Sequence, residues 1–167
     1  RPIVHCRAQA EDKTCYATYD GILTCTAANS GATVQACKFG CLGFGDCAEA
    51  CPFDALHMVN GLPVVDPDKC TGCGKCVAAC PRDILSLEVK KHERLFYVAC
   101  SSHDNTLRTR QVCGVGCIAC GICVKLSKEG FFRIEDNLST ADHARQSDQE
   151  AVKAIQLKCP TKVIRAI

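Results

Sequence analysis

Tryptophan is absent, methionine occurs once, and the aromatic residues are three tyrosines and six phenylalanines in 167 residues. So little large apolar material leaves no basis for an extensive hydrophobic core, and something else must help hold the chain together. No apolar stretch reaches the roughly 18 residues that a membrane span needs, so no transmembrane helix is expected within the sequence. A secretory apolar segment ahead of the first cysteine is also missing. There is no basic stripe and no helix-turn-helix pattern, which argues against nucleic-acid binding. Hydroxyl, imidazole and carboxylate side chains form no triad-like grouping, and the five histidines are scattered. Gly114, Gly116 and Ala119 fit GxGxxA, but no strand leads in and Cys117 interrupts the match, so a dinucleotide site is not supported.

Cysteine is what the chain has in excess: seventeen residues. That density reads as a disulfide scaffold or as metal binding, and spacing separates the two. Cys70, Cys73, Cys76 and Cys80, followed by Pro81, spell CxxCxxCxxxCP, the bacterial ferredoxin run. Cysteines so closely spaced are poorly placed to pair with each other, and zinc prefers two separated pairs. In such a run the first three thiolates wrap one cubane and the fourth serves the neighbouring cluster. Cys41, Cys47 and Cys51-Pro52 keep the same frame with Phe44 at the second ligand position. Phenylalanine cannot bind iron, so Cys37 is the expected substitute. The resulting expectation is one cluster on Cys37, Cys41, Cys47 and Cys80, and another on Cys70, Cys73, Cys76 and Cys51. Free thiolates imply a reducing, cytoplasmic compartment. The formal charge of +2 turns acidic once clusters bind, since four thiolates around an oxidised cubane leave about −2. Ligand binding energy is then folding energy, and the metal-free chain is expected to be largely unfolded.

The fold class expected is α+β, as tandem two-cluster ferredoxin-like modules built from short helices and hairpins, the second module degenerate. Residues 1–36 form a wrapping arm, 37–89 the two-cluster module, 90–112 a connecting strand and loop, and 113–167 the degenerate module. Asn60-Gly61 between apolar runs signals a hairpin. Brief helices are expected around 48–51 and 75–79, with strands at 84–89, 94–99 and 131–135. In the tail, Cys117, Cys120 and Cys123 repeat the spacing, but Ser127 stands at the fourth position. A second run opening at Asp142 would place ligands near Gln146, Gln149 and Val152, and residues 149–158 are instead good helix formers. Only Cys159-Pro160 survives. One cluster thus keeps all its ligands (Cys117, Cys120, Cys123, Cys159) and its partner has lost all of them, as ligand exchange between clusters requires. Three 4Fe-4S clusters follow. Of Cys6, Cys15, Cys25, Cys100 and Cys113 two readings stand: small buried apolar residues, or a fourth cluster on Cys6, Cys25, Cys100 and Cys113 with Cys15 free. Lys90, Lys91 and Arg94 read as a solvated face or as help in docking an acidic ferredoxin. The chain opens at Arg1 rather than methionine, a start compatible with a fragment of a longer chain.

Arg1-Pro-Ile-Val-His-Cys6, Tyr19-Asp-Gly-Ile, residues 40–53 with the Phe44 variant, residues 69–76 and Gly116-Cys-Ile-Ala-Cys120 resemble the iron-sulfur region of the B subunit of the Rnf complex. The resemblance implies a cytoplasmic, membrane-associated ferredoxin:NAD oxidoreductase that couples electron transfer to ion pumping. Its B subunit takes electrons from reduced ferredoxin and passes them towards flavin and NAD sites on other redox subunits, peripheral on the inner face of the membrane. Family members usually carry an N-terminal membrane helix and a further cluster motif ahead of this region. The expected role is a relay of single electrons with no bond chemistry of its own. The alternatives are a ferredoxin-like subunit of another soluble redox enzyme, or an enzyme with a catalytic, open-site cluster.

Overall fold

Residues 1–31, 35–89, 94–127, 130–145 and 148–167 are described by the computed structural model; Lys90, Lys91 and Gln146 lie outside them. The fold is a mixture of short helices and four two-stranded antiparallel sheets, in line with the α+β class. No described helix is long and apolar enough to cross a membrane.

One order of elements occurs twice. In the first half, strand β1 (Pro2–Val4) precedes helix α1 (Cys25–Ser30), then α2 (Asp46–Glu49), the hairpin β2 (Leu56–Val59) and β3 (Leu62–Val65), α3 (Lys75–Ala78) and β4 (Leu85–Leu87). β4 pairs back onto β1, with Pro2 opposite Leu87 and Val4 opposite Leu85, so the first residues of the arm complete this half. In the second half, β5 (Phe96–Val98) precedes α4 (Thr106–Val112), α5 (Ile122–Leu126), the hairpin β6 (Phe132–Glu135) and β7 (Leu138–Ala141), α6 (Gln149–Lys158) and β8 (Ile164–Ala166). β8 pairs with β5, Val98 opposite Ile164. The two hairpin turns follow from local chemistry. Asn60 and Gly61, like Asp136 and Asn137, have positive φ at both central positions, the geometry of a two-residue turn whose twist matches its strands. Helix α2 starts at Asp46, ahead of the expected Ala48, because the ligand loop hands over to the helix at left-handed Gly45.

The halves differ in what fills them. In the first, the buried groups come in small clusters that include cysteines: Cys6 and Cys41 with Ala8 and Ile84, and Cys47 and Cys76 with Leu56 and Leu85. The second contains a larger apolar cluster in which Val152 and Ile155 of α6 meet Phe96, Phe132, Leu138 and Ile164. α6 is the longest helix described, and its N-cap Asp148 accepts a hydrogen bond from Glu150 N. The halves are tied by His5, whose Nδ1 lies 3.0 Å from Val98 O and Nε2 2.9 Å from Ser86 Oγ.

Truncating Ile155 to Ala should destabilise by about 2–5 kcal/mol, the usual effect for a fully buried aliphatic side chain. Val59→Thr, at an exposed hairpin position, should stay within about 0.5 kcal/mol. Anaerobic denaturant unfolding of both variants measures the difference.

Candidate metal centres

Three ligand loops share one backbone shape. Gly43 and Gly45, Gly72 and Gly74, and Ala119 and Gly121 all have positive φ at the second and fourth positions after Cys41, Cys70 and Cys117. That left-handed pair curls the chain so that its cysteines face inward, and each loop ends at the start of a short helix. The helices stop at once. Ala50 and Ala79 cap α2 and α3, and the following Cys51 and Cys80 precede prolines, which disfavour a helical residue before them. Cys159, also before proline, is extended with φ −63° and ψ 120°. The thiol after each helix therefore leaves its own loop.

The result is four cavities of similar size, each lined by four cysteines. Cys6, Cys37, Cys100 and Cys113 line the first. Cys25, Cys41, Cys47 and Cys80 line the second. The third has Cys51, Cys70, Cys73 and Cys76, and the fourth Cys117, Cys120, Cys123 and Cys159. All seventeen cysteines are free thiols, and Cys15, exposed, is the one that lines none of these four cavities.

The third and fourth groups are those expected from spacing. The other two are divided differently from the sequence expectation: Cys25, and not Cys37, joins Cys41, Cys47 and Cys80, while Cys37 joins Cys6, Cys100 and Cys113. The reason is local. Arg82 Nη1 donates to Cys37 O at 3.1 Å and Gly40 O at 2.7 Å, bending the segment ahead of Cys41. Across the second cavity, the Asp46 carboxylate accepts from Cys25 N at 2.5 Å and from Thr26 N at 2.9 Å and Oγ1 at 2.8 Å. Asp46 thereby holds the start of α1 against the loop in which Phe44 replaces a cysteine. Phe44 itself packs on Tyr19, ring centroids 5.2 Å apart. The sequence expectation groups Cys25 with Cys6, Cys100 and Cys113, so the cavities exchange Cys25 and Cys37; it does not single out Asp46, and the signal available was a carboxylate two residues after Phe44, where the parallel positions are Lys75 and Ile122.

Burial pushes the thiols of Cys41, Cys47 and Cys100 up to about 12 and raises those of Cys37, Cys76, Cys113 and Cys123. Without a compensating cation these sulfurs remain protonated and the cavities neutral. Backbone N–H groups are already aimed at several of them: Cys41 N at Cys6 Sγ (3.5 Å), Ala55 N at Cys51 Sγ (3.4 Å), and Ser102 N and Cys117 N at Cys100 Sγ (3.4 and 3.3 Å). Such bonds favour thiolate. Four soft sulfur donors around an otherwise largely apolar cavity fit an iron-sulfur cluster. A zinc site would draw sulfurs to about 3.8 Å of one another, given its bond lengths. Among the described residues no three His, Cys, Asp or Glu side chains converge enough to hold a single metal ion.

A family model described as a 4Fe-4S binding domain matches residues 63–86, the hairpin strand through the Cys70 run. The chain is 41% identical over 152 residues to the B subunit of the proton-translocating ferredoxin:NAD(+) oxidoreductase complex of Clostridium ljungdahlii, covering 89% of this chain and 52% of that protein. It is 37% identical over 165 residues to the B subunit of the ion-translocating oxidoreductase complex of Methanosarcina acetivorans, covering 98% and 61%. With the B subunit of the Na(+)-translocating ferredoxin:NAD(+) oxidoreductase complex of Acetobacterium woodii it shares 38% identity over 160 residues, covering 93% and 47%. The chain thus spans between 47% and 61% of the length of these relatives. The resemblance to the Rnf-type B subunit that the motifs carry is borne out.

Asp46→Ala should lower stability by about 0.5–2 kcal/mol, the usual value of a helix cap, read by anaerobic unfolding. Although partial burial acts to raise it, hydrogen bonds from Cys25 and Thr26 hold the Asp46 carboxyl below its ordinary value. Its contribution is therefore present above the ordinary carboxylate range and is lost as pH falls through the lowered value. Asp46→Ala should remove that dependence.

Proposed function

We propose that this chain is an electron-transfer subunit that relays single electrons through four 4Fe-4S clusters, from reduced ferredoxin towards flavin and NAD subunits of an ion-translocating complex at the inner, cytoplasmic face of a membrane. The observation that carries the reading is the sorting of sixteen cysteines into four cavities, four to each. The relatives' names support the complex and its donor; those are functions of proteins that extend beyond the matched region. The repeated element order supports tandem ferredoxin-like modules, the second with one cluster. The fourth cluster belongs to neither module alone, because Cys6 and Cys37 come from the first half and Cys100 and Cys113 from the second.

The ligand sets proposed are those of the four cavities. Each cluster, when bound, accepts and returns one electron; the chain's own residues set spacing and potential. Spacing follows from covalent links. Cys47 and Cys51, and Cys76 and Cys80, join the second and third cavities; Cys37 and Cys41 join the first and second; Cys113 and Cys117 join the first and fourth. Every link is four residues, a reach of at most about 14 Å between backbones. The series runs third, second, first, fourth. Potential is set by the N–H groups on sulfur and by Arg82, whose half-buried guanidinium has its pKa lowered by desolvation and supported by the nearby thiols of Cys37, Cys41, Cys25 and Cys6. A fixed cation between two anionic clusters favours their reduced forms. A catalytic open-site cluster would call for three thiols and a gap, and the four-cysteine linings speak against it.

Anaerobically purified, cluster-loaded protein should contain about sixteen irons and equal acid-labile sulfide per chain, with several coupled low-potential paramagnetic signals on reduction. About twelve irons would overturn the fourth cluster. The grouping is tested by paired substitutions. Cys25→Ala with Cys41→Ala should lose one cluster, about four irons, because both residues serve the same site; Cys37→Ala with Cys41→Ala should lose two, about eight. The reverse pattern would restore Cys37 to the second cavity.

A further inference from the structure

The relay reading leaves open where electrons arrive. Of the sixteen cavity-lining cysteines only Cys73 and Cys120 are exposed, and they belong to the third and fourth cavities, the two ends of the series within this chain. Those ends differ in charge. Within three residues of Cys117, Cys120, Cys123 and Cys159 the ionisable side chains besides cysteine are Lys125, Lys158 and Lys162, all exposed, with no carboxylate. The same window around Cys51, Cys70, Cys73 and Cys76 holds Glu49, Asp54 and Asp68 against Lys69 and Lys75, and Lys69 is paired with Asp54 at 3.0 Å.

The basic end is also apolar at its centre. Val124 and Leu126 of α5 are 36% and 39% exposed, and Leu157 of α6 is 66% exposed. α5 packs against α6, and Lys162 Nζ donates to Leu157 O. α5 carries no carboxylate; those of α6 are at its N-terminal end, its N-cap Asp148 and Glu150, the latter paired with Lys153 at 3.7 Å, and Glu135 and Asp136 belong to β6 and its hairpin turn. An apolar centre with a basic rim over an exposed ligand position suits brief, charge-steered contact between redox proteins.

Resting on the relay reading, we propose that the α5–α6 face around Cys120 docks an acidic one-electron carrier protein of the ferredoxin type. One electron leaves the carrier's reduced cluster and enters the cluster held by Cys117, Cys120, Cys123 and Cys159. The carrier is oxidised by one electron and this chain is reduced by one; no bond is made or broken. Electrons then pass inward, away from solvent, and leave by the Cys73 end.

The test is rapid-mixing reduction of the cluster-loaded chain by a reduced, acidic bacterial ferredoxin at low and high salt. Lys125→Glu combined with Lys158→Glu should slow the second-order rate by about tenfold or more, and the wild-type rate should fall as salt rises. Lys69→Glu with Lys75→Glu, at the other end, should leave the rate within about twofold. Iron content and reduction by dithionite, equal in all variants, report intact folds and clusters. An unchanged rate in the Lys125 and Lys158 pair would overturn the docking site while leaving the relay intact. Slowing confined to the Lys69 and Lys75 pair would move docking to the Cys73 end. Loss of binding to anionic phospholipid vesicles in the Lys125 and Lys158 pair, with the ferredoxin rate preserved, would make the face a membrane contact instead. A wild-type chain that dithionite reduces and ferredoxin does not would sink the relay reading itself.

Discussion

The structure depends on a four-residue spacing between cysteines that face different cavities. Cys37 and Cys41, Cys47 and Cys51, Cys76 and Cys80, and Cys113 and Cys117 each bridge two sites. A thiol cannot be shared, so the backbone between the two members of a pair must turn. After α2 and α3 it turns because a proline follows and the preceding residue cannot remain helical; ahead of Cys41 it turns because Arg82 holds two carbonyls. With every site tethered to a neighbour over four residues, filling one cavity places at least one ligand position of the next. Folding and cluster assembly are then one cooperative process. The chain needs few large apolar side chains for that reason.

Charge follows from the same tethering. Close spacing of anionic clusters is unfavourable unless something positive lies between them or water screens them, and the two inner cavities are lined by largely buried thiols. Arg82 touches the backbone beside the first cavity and lines the second. Its burial alone would be unfavourable. The penalty is offset by carbonyls of Cys37 and Gly40, by Asn29 Oδ1 at 2.9 Å, and by the thiolates that form when iron binds. The outer cavities have no such cation among their lining residues and instead expose one cysteine each to solvent, where water and salt screen the charge.

The parts legible in the sequence were those that depend on short-range spacing. The Cys70 run, the Asn60-Gly61 turn, the helix over 149–158 and the grouping of Cys117, Cys120 and Cys123 with Cys159 each follow from residues near one another or from a rule of ligand exchange. Cys25 was not legible in the same way. Its place is set by a hydrogen bond across twenty-one residues to Asp46, and nothing in local spacing prefers it to Cys37, which is nearer to Cys41 in the chain. His5 shows the same limit: its neighbour Cys6 stood out, but its role is to bridge Ser86 and Val98, residues that only the packed halves bring together.

The asymmetry between the halves completes the argument. In the first half two loops of three cysteine positions face each other, and apolar residues are confined to small clusters around them. In the second, the segment that would form the partner loop is α6, and Val152 and Ile155 take the interior with Phe132 and Leu138. Replacing a loop of ligands by a capped, ten-residue helix exchanges metal-dependent order for hydrophobic order. A site on a half that is stabilised by its own apolar core can be exposed at Cys120 without loosening the fold, and a surface that must repeatedly bind and release a partner belongs on such a half.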